Sequence, residues 1–445
     1  IIDNSYTYTY KKIYKKILYI FSKLNKKKCL VLLESSNTVE FIILYVGCLI
    51  FKKTPLLVDE LIQKEDLAKI IDLYKPQYIF SKKKIDFLKY NKINQINNYI
   101  ILENKNEISY KINNKLALLL STSGSSGSLK YVRISYINLQ DNTKKIIKYL
   151  GINKNDRVIT TLNPSYSYGL SIINTHLIAG ASIILNKNSI ITKKFWDLFK
   201  LNEPNSINGV PYTYEILSKL GFNKIPITKL RYMTSAGGAL KEDLQLQINK
   251  YIKNKKILFY SMYGQTEASP RMSFLQPKYF SKKIGSIGQP LEGGKFIIKK
   301  KKNNIGEIIY KGKNVSLGYA NNFNDLKKGN SNKNILYTGD LGFKDKEGFY
   351  FISGRKNREV KIYSNRFNLD EIEKKLKSKK IFCACIKRDE KIIIFSVKSI
   401  SKVFQVIKKI FNFNPSLFNV IKINKIPLNK KNKTDYNKLN NYEYN

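Results

Sequence analysis

Near the N-terminus, "KKIYKKILYIFSKL" carries apolar residues at helical spacing, and "KKCLVLLE" follows as a short continuous apolar run of strand type. The segment "SSNTVEFIILYVGCLIF" opens on Ser/Asn start signals and predicts a helix, and "KTPLLVDE" predicts another strand. "KEDLAKIIDLYK" and "PQYIFS" then repeat the helix–strand order. This alternation predicts parallel strands covered by helices, so the fold class is α/β. From about Gly285 the texture changes to short strands with Gly turns, as in "GKFIIKK", "GEIIYKG" and "GFYFISGR". A β-rich subdomain is expected over about 285–355, closing a large N-terminal domain of residues 1–355. Beyond Arg355, "LDEIEKKLKS", "FCACIKR", "KIIIFSVKS" and "SKVFQVIKKIF" predict a small α+β lid domain over 356–445. No internal repeat is visible.

Size agrees with this division. A chain of 445 residues, 43% hydrophobic with 31 tyrosines and 23 phenylalanines, can fill a sizeable core in two or three domains. The formal charge of +47 invites a nucleic-acid reading, because basic faces release counterions from phosphate backbones. Yet only eight of the 80 basic residues are arginines, and the lysines are scattered beside Asn and Ile, as in "NKINQINNYIILENKNE". Nucleic-acid surfaces cluster their charge and favour arginine for bidentate contacts. Drift under AT-rich coding explains the lysines, so no nucleic-acid partner is expected; a basic nucleic-acid-binding protein is the rival reading. The four cysteines, Cys29, Cys48, Cys383 and Cys385, match no zinc spacing and read as reduced thiols. The longest apolar run is about 13 residues, short of the about 20 that a bilayer span needs. The chain opens Ile1-Ile2-Asp3 without Met or a signal peptide, so a few preceding residues are expected. A cytoplasmic enzyme is the expectation that remains.

Candidate chemistry begins at Leu120-Ser121-Thr122-Ser123-Gly124-Ser125-Ser126-Gly127-Ser128-Leu129-Lys130, after the apolar run "KLALLL". Hydroxyls, exposed backbone N–H groups and one cation are the parts that hold a polyphosphate. Lys130 lies three residues beyond Gly127, so the Walker pattern is not met. Taken alone the segment also admits a Ser/Gly linker, the lesser of the two readings. Tyr263-Gly264-Gln265-Thr266-Glu267 is a weak signal by itself. In Tyr337-Thr338-Gly339-Asp340, with Gly354-Arg355 beyond it, an Asp in a Gly turn can accept from two ribose hydroxyls, or can close an ordinary hairpin. Pro427 to Asp435 holds several lysines, among them Lys433.

In this order the segments resemble the adenylate-forming superfamily of acyl- and aryl-coenzyme A synthetases, luciferases and peptide-synthetase adenylation domains. The resemblance covers essentially the whole chain and is nearest to stand-alone acyl-coenzyme A synthetase-like members. Thr122 to Lys130 looks like the family's Thr-Ser-Gly-Ser/Thr-Thr-Gly-x-Pro-Lys loop, with Leu129 at the Pro. "SAGGAL" (Ser235 to Leu240) looks like its adenine-side Gly-Gly-Ala stretch, "MYGQTEA" its Tyr-Gly-x-Thr-Glu, and "YTGD" its ribose aspartate. "GRKNREVK" resembles the hinge region, and Pro427 to Asp435 the Pro-x-Thr-x-x-Gly-Lys-x-Asp segment, with Asn429 at Thr and Asn432 at Gly. Two departures weigh more. Ser364 stands at the Gly of Lys-x-x-Gly-x-Arg (Lys361 to Arg366), where a thiol cofactor arrives, and Tyr166 replaces the His of His-x-x-Gly. The only histidine, His176, reads as a packed helix residue.

The resemblance implies ATP-dependent activation of a carboxylic acid to an acyl-adenylate with pyrophosphate release, then transfer to a thiol. The acceptor is coenzyme A or the phosphopantetheine arm of an acyl carrier protein. By resemblance, Lys433 bridges the carboxylate and the α-phosphate, and Thr266 touches that phosphate. Thr122, Ser123, Gly124, Ser125, Ser126, Gly127 and Lys130 surround the β- and γ-phosphates, and Glu267 holds Mg²⁺. Gly237, Gly238, Ala239, Tyr263, Gly264 and Gln265 line the adenine, with Tyr263 stacking on it, while Asp340 and Arg355 fix the ribose. Asn357 occupies the hinge about which the family's small domain turns between half-reactions. Amino-acid-activating relatives place an Asp near Tyr166–Ser171, and none stands there. An uncharged acyl or aryl acid is therefore favoured, in a pocket walled by Tyr166, Tyr168, Val210, Tyr212 and Gly237. Leu129, Ser364 and Asn432 leave open a degenerate homologue that binds nucleotide without turnover.

Overall fold

The computed structural model describes residues 1–3, 6–83, 89–107, 109–121, 129–225, 229–253, 255–300, 304–362, 365–389, 391–410, 415–429 and 433–442. Helices Tyr10–Phe21, Val39–Ile50 and Lys64–Tyr74 alternate with strands Leu30–Ser35, Thr54–Asp59 and Tyr78–Ser81, as the apolar runs predict. The first helix buries Ile13, Ile17, Ile20 and Phe21, one stripe at helical spacing. The second starts where the Thr38 hydroxyl accepts from the Phe41 N–H at 3.2 Å, a cap that contributes about 1 kcal/mol. The three strands run parallel with Leu30–Ser35 in the middle. Helices and neighbouring strands bury both faces of the middle strand, which is why it reads as an unbroken apolar run.

The chain divides into two compact units, one of Ile1–Phe296 with Tyr310–Leu336 and one of Ile297–Ile309 with Tyr337–Asn445. In the first, the N-terminal sheet is extended by the antiparallel hairpin Leu116–Ser121 and Tyr131–Ser135, in which Ser121 pairs with Tyr131. The Ser/Gly segment connects this hairpin; Thr122, Ser123, Gly124, Ser125, Ser126 and Gly127 lie outside the described residues, and Leu129 and Lys130 stand at its exit. A second sheet places Ser182–Leu185, Arg157–Ile159, Ser206–Gly209, Tyr232–Ser235 and Leu258–Gly264 side by side in parallel. Arg271–Leu275 then pairs antiparallel with the last of these. The carboxyl ends of the last three parallel strands are Gly209, Ser235 and Gly264. In open α/β sheets, ligands bind beyond such ends.

The second unit has its own apolar core, in which Ile372, Leu376, Ile392, Ile394 and Val403 are buried. Helix Leu369–Ser378 packs with a small sheet in which Cys383–Arg388 is antiparallel to Lys391–Ser396, itself parallel to Phe418–Lys422. The four cysteines are free, and burial pushes the Cys48 and Cys385 thiols well up, which leaves them unreactive at neutral pH. No described helix is long and apolar enough to cross a membrane.

Candidate functional site

Within the first unit, the turn after Leu258–Gly264 is fixed by its backbone. A Cβ at Gly264 would come within 2.0 Å of the Pro270 carbonyl oxygen, so only glycine permits the close return of the chain. Gln265 N–H donates to that carbonyl at 2.9 Å, and Thr266–Ala268 closes a short 3₁₀ turn. From outside, Ser316 N–H donates to the Glu267 carbonyl at 2.8 Å, and Asn314 Nδ2 to the Ala268 carbonyl at 2.7 Å. The side chains are thereby aimed. Thr266 Oγ1 shares a hydrogen bond with Ser167 Oγ at 3.2 Å, and Tyr319 Oη donates to Glu267 Oε1 at 2.9 Å. Lys130 Nζ lies 3.5 Å from the centroid of the Tyr319 ring, a cation–π contact. Burial and the Glu267 charge hold the Tyr319 phenol well above its ordinary value, so it remains a donor.

One strand over, Gly237 has a φ of +84°, which favours glycine, and a Cβ there would lie 3.5 Å from Val210 Cγ1. Gly238 faces Pro211, and Ala239 follows. Tyr168 Oη shares a 2.6 Å hydrogen bond with Thr234 Oγ1, and its ring lies under the Arg271 guanidinium at 5.0 Å. Tyr166, at the start of helix Ser167–Ile178, faces Asp59; burial and that carboxylate push its phenol well up. Tyr212 is exposed. A narrow cavity below this helix is lined by Tyr168, His176, Asn208, Thr234, Met262 and Arg271 among others. His176 is a buried helix residue, as its sequence context predicts, and burial brings its imidazole down to about 4.

In the second unit, Asp340 and Arg355 face one another across paired strands, with Arg355 Nε 2.9 Å from Asp340 Oδ1. Asp340 is buried and Arg355 exposed. Lys433 closes a loop in which its N–H is held by Asn429 Oδ1 at 3.1 Å, and its carbonyl accepts from Asn429 N–H at 2.7 Å. Asn429 thus serves the loop where the resemblance has Thr, while Asn432 is outside the described residues. Lys433 is exposed as a residue, and its ammonium lies below the usual lysine value through local desolvation and the nearby Arg355 charge, with Asp340 opposing. Asn357 lies in the exposed turn Lys356–Arg358, and Ser364 is outside the described residues.

The profile of the AMP-binding enzyme family matches residues 1–320. The chain belongs to this family. It is 27% identical over 342 residues to a 2-succinylbenzoate–CoA ligase of Oceanobacillus iheyensis, covering 73% of this chain and 68% of that protein. An oxalate–CoA ligase of Saccharomyces cerevisiae is 28% identical over 249 residues, 54% of this chain and 45% of that protein. The o-succinylbenzoate coenzyme A synthetase (MenE) of Bacillus subtilis, solved with ATP and magnesium, superposes with a TM-score of 0.77 at 20% identity. That superposition covers 99% of this chain and 96% of the other, so the likeness of fold extends to both ends.

For an AMP-binding enzyme the turn has the right chemistry for a metal-bound nucleotide. Among the described residues no group of three or more His, Cys, Asp or Glu could cage a metal ion. Magnesium needs no cage, since it keeps waters and binds through one or two carboxylates plus phosphates. Glu267 fits, with Oε1 held by Tyr319 and Oε2 accepting from no described residue. Three residues of this AMP-binding enzyme escape sequence reading: Ser167 and Tyr319, which steady Thr266 and Glu267, and Arg271. Arg271 alone carries a signal in the sequence, as one of only eight arginines.

Proposed function

We propose that the chain joins a small carboxylic acid to a thiol through an acyl-adenylate. A carboxylate oxygen attacks the α-phosphorus of ATP, the bond to the bridging oxygen of the β-phosphate breaks, and pyrophosphate leaves. A thiolate sulfur then attacks the acyl carbon, forming the thioester as the bond to AMP breaks. The first step demands charge neutralisation and in-line positioning more than a general base. No histidine base is required, in keeping with a His176 that is buried, neutral and tied through Nδ1 to the Ile172 carbonyl at 2.8 Å.

The observation that carries this reading is the turn of Thr266 and Glu267, against which Tyr319 and Lys130 stand, in a chain of the AMP-binding family. Thr266 contacts the α-phosphate, Glu267 takes the magnesium ion, and Lys130 leaves the Tyr319 ring for the outer phosphates. Magnesium, when bound, neutralises phosphate charge. Ser123, Gly124, Ser125, Ser126, Gly127 and Thr122 supply the rest of the phosphate cradle. Tyr263, Gly264, Gln265, Gly237, Gly238 and Ala239 hold the adenine, Asp340 and Arg355 the ribose, and Lys433 the attacking carboxylate and α-phosphate. Tyr166, Tyr168, Val210, Tyr212 and Gly237 wall the acyl group, and Asn357 is the hinge of a lid over 356–445. Coenzyme A is the favoured acceptor, because both curated relatives are named CoA ligases. Carboxylate-dependent exchange of labelled pyrophosphate into ATP tests the reading. ATP binding without exchange for any acid would favour a homologue that binds but does not turn over.

A further inference from the structure

The chain keeps few arginines, and those with described side chains are tied to a carbonyl or carboxylate oxygen in every case but one. Arg133 donates to the Leu317 and Tyr319 carbonyls at 2.7 and 3.0 Å, and Arg157 to Asn202 O at 2.7 Å. Arg231 pairs with Asp156, Arg355 with Asp340 and Arg358 with Asp370, while Arg388 donates to the Asn440 carbonyl. Arg271 is different. It is 2% exposed, forms no ion pair among the described residues, and its Nε–H has no acceptor. Among the described residues its guanidinium finds the Tyr149 hydroxyl, which itself donates to Met262 Sδ at 3.0 Å, and the face of Tyr168. A buried cation without a carboxylate is costly, and a cation–π contact offsets only part of that cost.

The second unfilled atom in the same cavity is His176 Nε2. Since Nδ1 must donate to the Ile172 carbonyl, Nε2 presents a lone pair. The free space is small, about the size of one water molecule or one carboxylate oxygen. Its position matters as much as its chemistry. Arg271 pairs with Gly264 in the strand register, beside Thr266. Asn208 and Thr234 lie two and three residues inward of Val210 and Gly237 on neighbouring parallel strands. On the acid-activating reading, an acid whose reacting carboxylate sits near Thr266 has this cavity as its neighbour.

We propose that Arg271 anchors a second carboxylate on the acid substrate, making the preferred substrates dicarboxylic acids. The inference rests on the acid-activating reading above and narrows it. No Asp stands within Tyr166–Ser171, although Asp59 faces Tyr166 from another strand, and a second anion on the substrate departs from the uncharged acid that the sequence favours. A full negative charge is what the buried guanidinium lacks, and its Nε–H donor selects an oxygen acceptor.

The test uses the full chain and pyrophosphate exchange with aliphatic and aromatic diacids, each beside its monomethyl ester. The parent should favour at least one diacid over its ester by about 10²-fold or more in kcat/KM, as sites built to bond a polar group reject analogues lacking it. Arg271→Met should bring that ratio near one, and Arg271→Lys should restore part of it. ATP binding and thermal melting report whether each variant folds; if Arg271→Met does not, the parent's ratio decides alone. Esters exchanging as well as diacids, or a ratio that survives Arg271→Met, would overturn the assignment of Arg271 and leave acid activation standing. Exchange with no acid, despite bound ATP, would overturn acid activation itself.

Discussion

The turn at Tyr263–Ala268 and the cavity floor beneath Tyr168 stand on the same sheet but are assembled in opposite ways. The turn is local: six consecutive residues, locked by the Gln265–Pro270 hydrogen bond and by a glycine with no room for a Cβ, present Thr266 and Glu267 together. The floor is gathered from distant segments, with Tyr168 and His176 from one helix and Asn208, Thr234, Met262 and Arg271 each from a different strand. On the proposed reading the turn meets a nucleotide, which is the same in every turnover, so a fixed turn suffices. An acid differs from one enzyme to another, and a floor built of separate side chains can change one residue at a time.

The largest expected effect lies on the nucleotide side of this contrast. Lys433→Ala should lower adenylation by about 10²- to 10³-fold, the loss typical of one preorganised donor to a developing charge. ATP binding should survive, because on the proposed reading most nucleotide contacts come from residues other than Lys433. Unchanged pyrophosphate exchange in the purified variant would remove this lysine from the chemistry.

The floor should show itself through pH. Burial lowers the His176 imidazole to about 4 from its ordinary 6.5, with Arg231 adding to the shift and Asp156 and the Ile172 hydrogen bond opposing it. Between those values the unfolded chain binds the extra proton and the folded chain does not. The stability contribution is therefore complete above about pH 6.5 and is lost as pH falls toward 4, by about 3 kcal/mol. Urea midpoints across that window should fall less steeply in His176→Gln than in the parent. Parallel curves would mean that the histidine is solvated after all.

On the ribose side, Asp340→Ala removes a buried charged acceptor and strands the Arg355 guanidinium that faces it. ATP binding should weaken by about 1.5–3 kcal/mol, with little change in the order of acids accepted. Discrimination against 2′-deoxy-ATP should fall in the same variant. If the parent does not distinguish the two nucleotides, the ribose role of Asp340 is wrong.

What could be read from the sequence follows the same division. The runs "KKCLVLLE", "KTPLLVDE" and "PQYIFS" announce buried parallel strands because a strand covered on both faces has no polar side to show. The motif turns are legible because the residues that form them are neighbours in sequence. Strand Tyr90–Ile96 is not legible: it is an edge strand with mostly exposed polar residues, placed by its partner Tyr99–Asn104. Tyr319 is equally hidden. Nothing in "SLGYANN" marks it, and it reaches Glu267 because Tyr319 pairs with Val132 on a strand far away in sequence. Arg271 lies three residues beyond the "MYGQTEA" motif and gains its meaning from burial, which periodicity does not reveal.

Tyr319 gives the smallest effect and the finest test of how local the nucleotide turn is. If Glu267 were positioned by the turn's backbone alone, the phenol would be dispensable. The geometry says otherwise, since Tyr319 Oη fixes one carboxylate oxygen at 2.9 Å and its ring holds Lys130 at 3.5 Å. Tyr319→Phe keeps the ring and removes only the hydroxyl, so Lys130 should stay where it is. One lost hydrogen bond to a half-exposed carboxylate is worth about 1 kcal/mol, or roughly fivefold. The loss should appear as a higher magnesium requirement for pyrophosphate exchange, with the rate at saturating magnesium nearly that of the parent. A fall in the saturating rate with no change in magnesium requirement would mean that the hydroxyl acts on the phosphates rather than through Glu267.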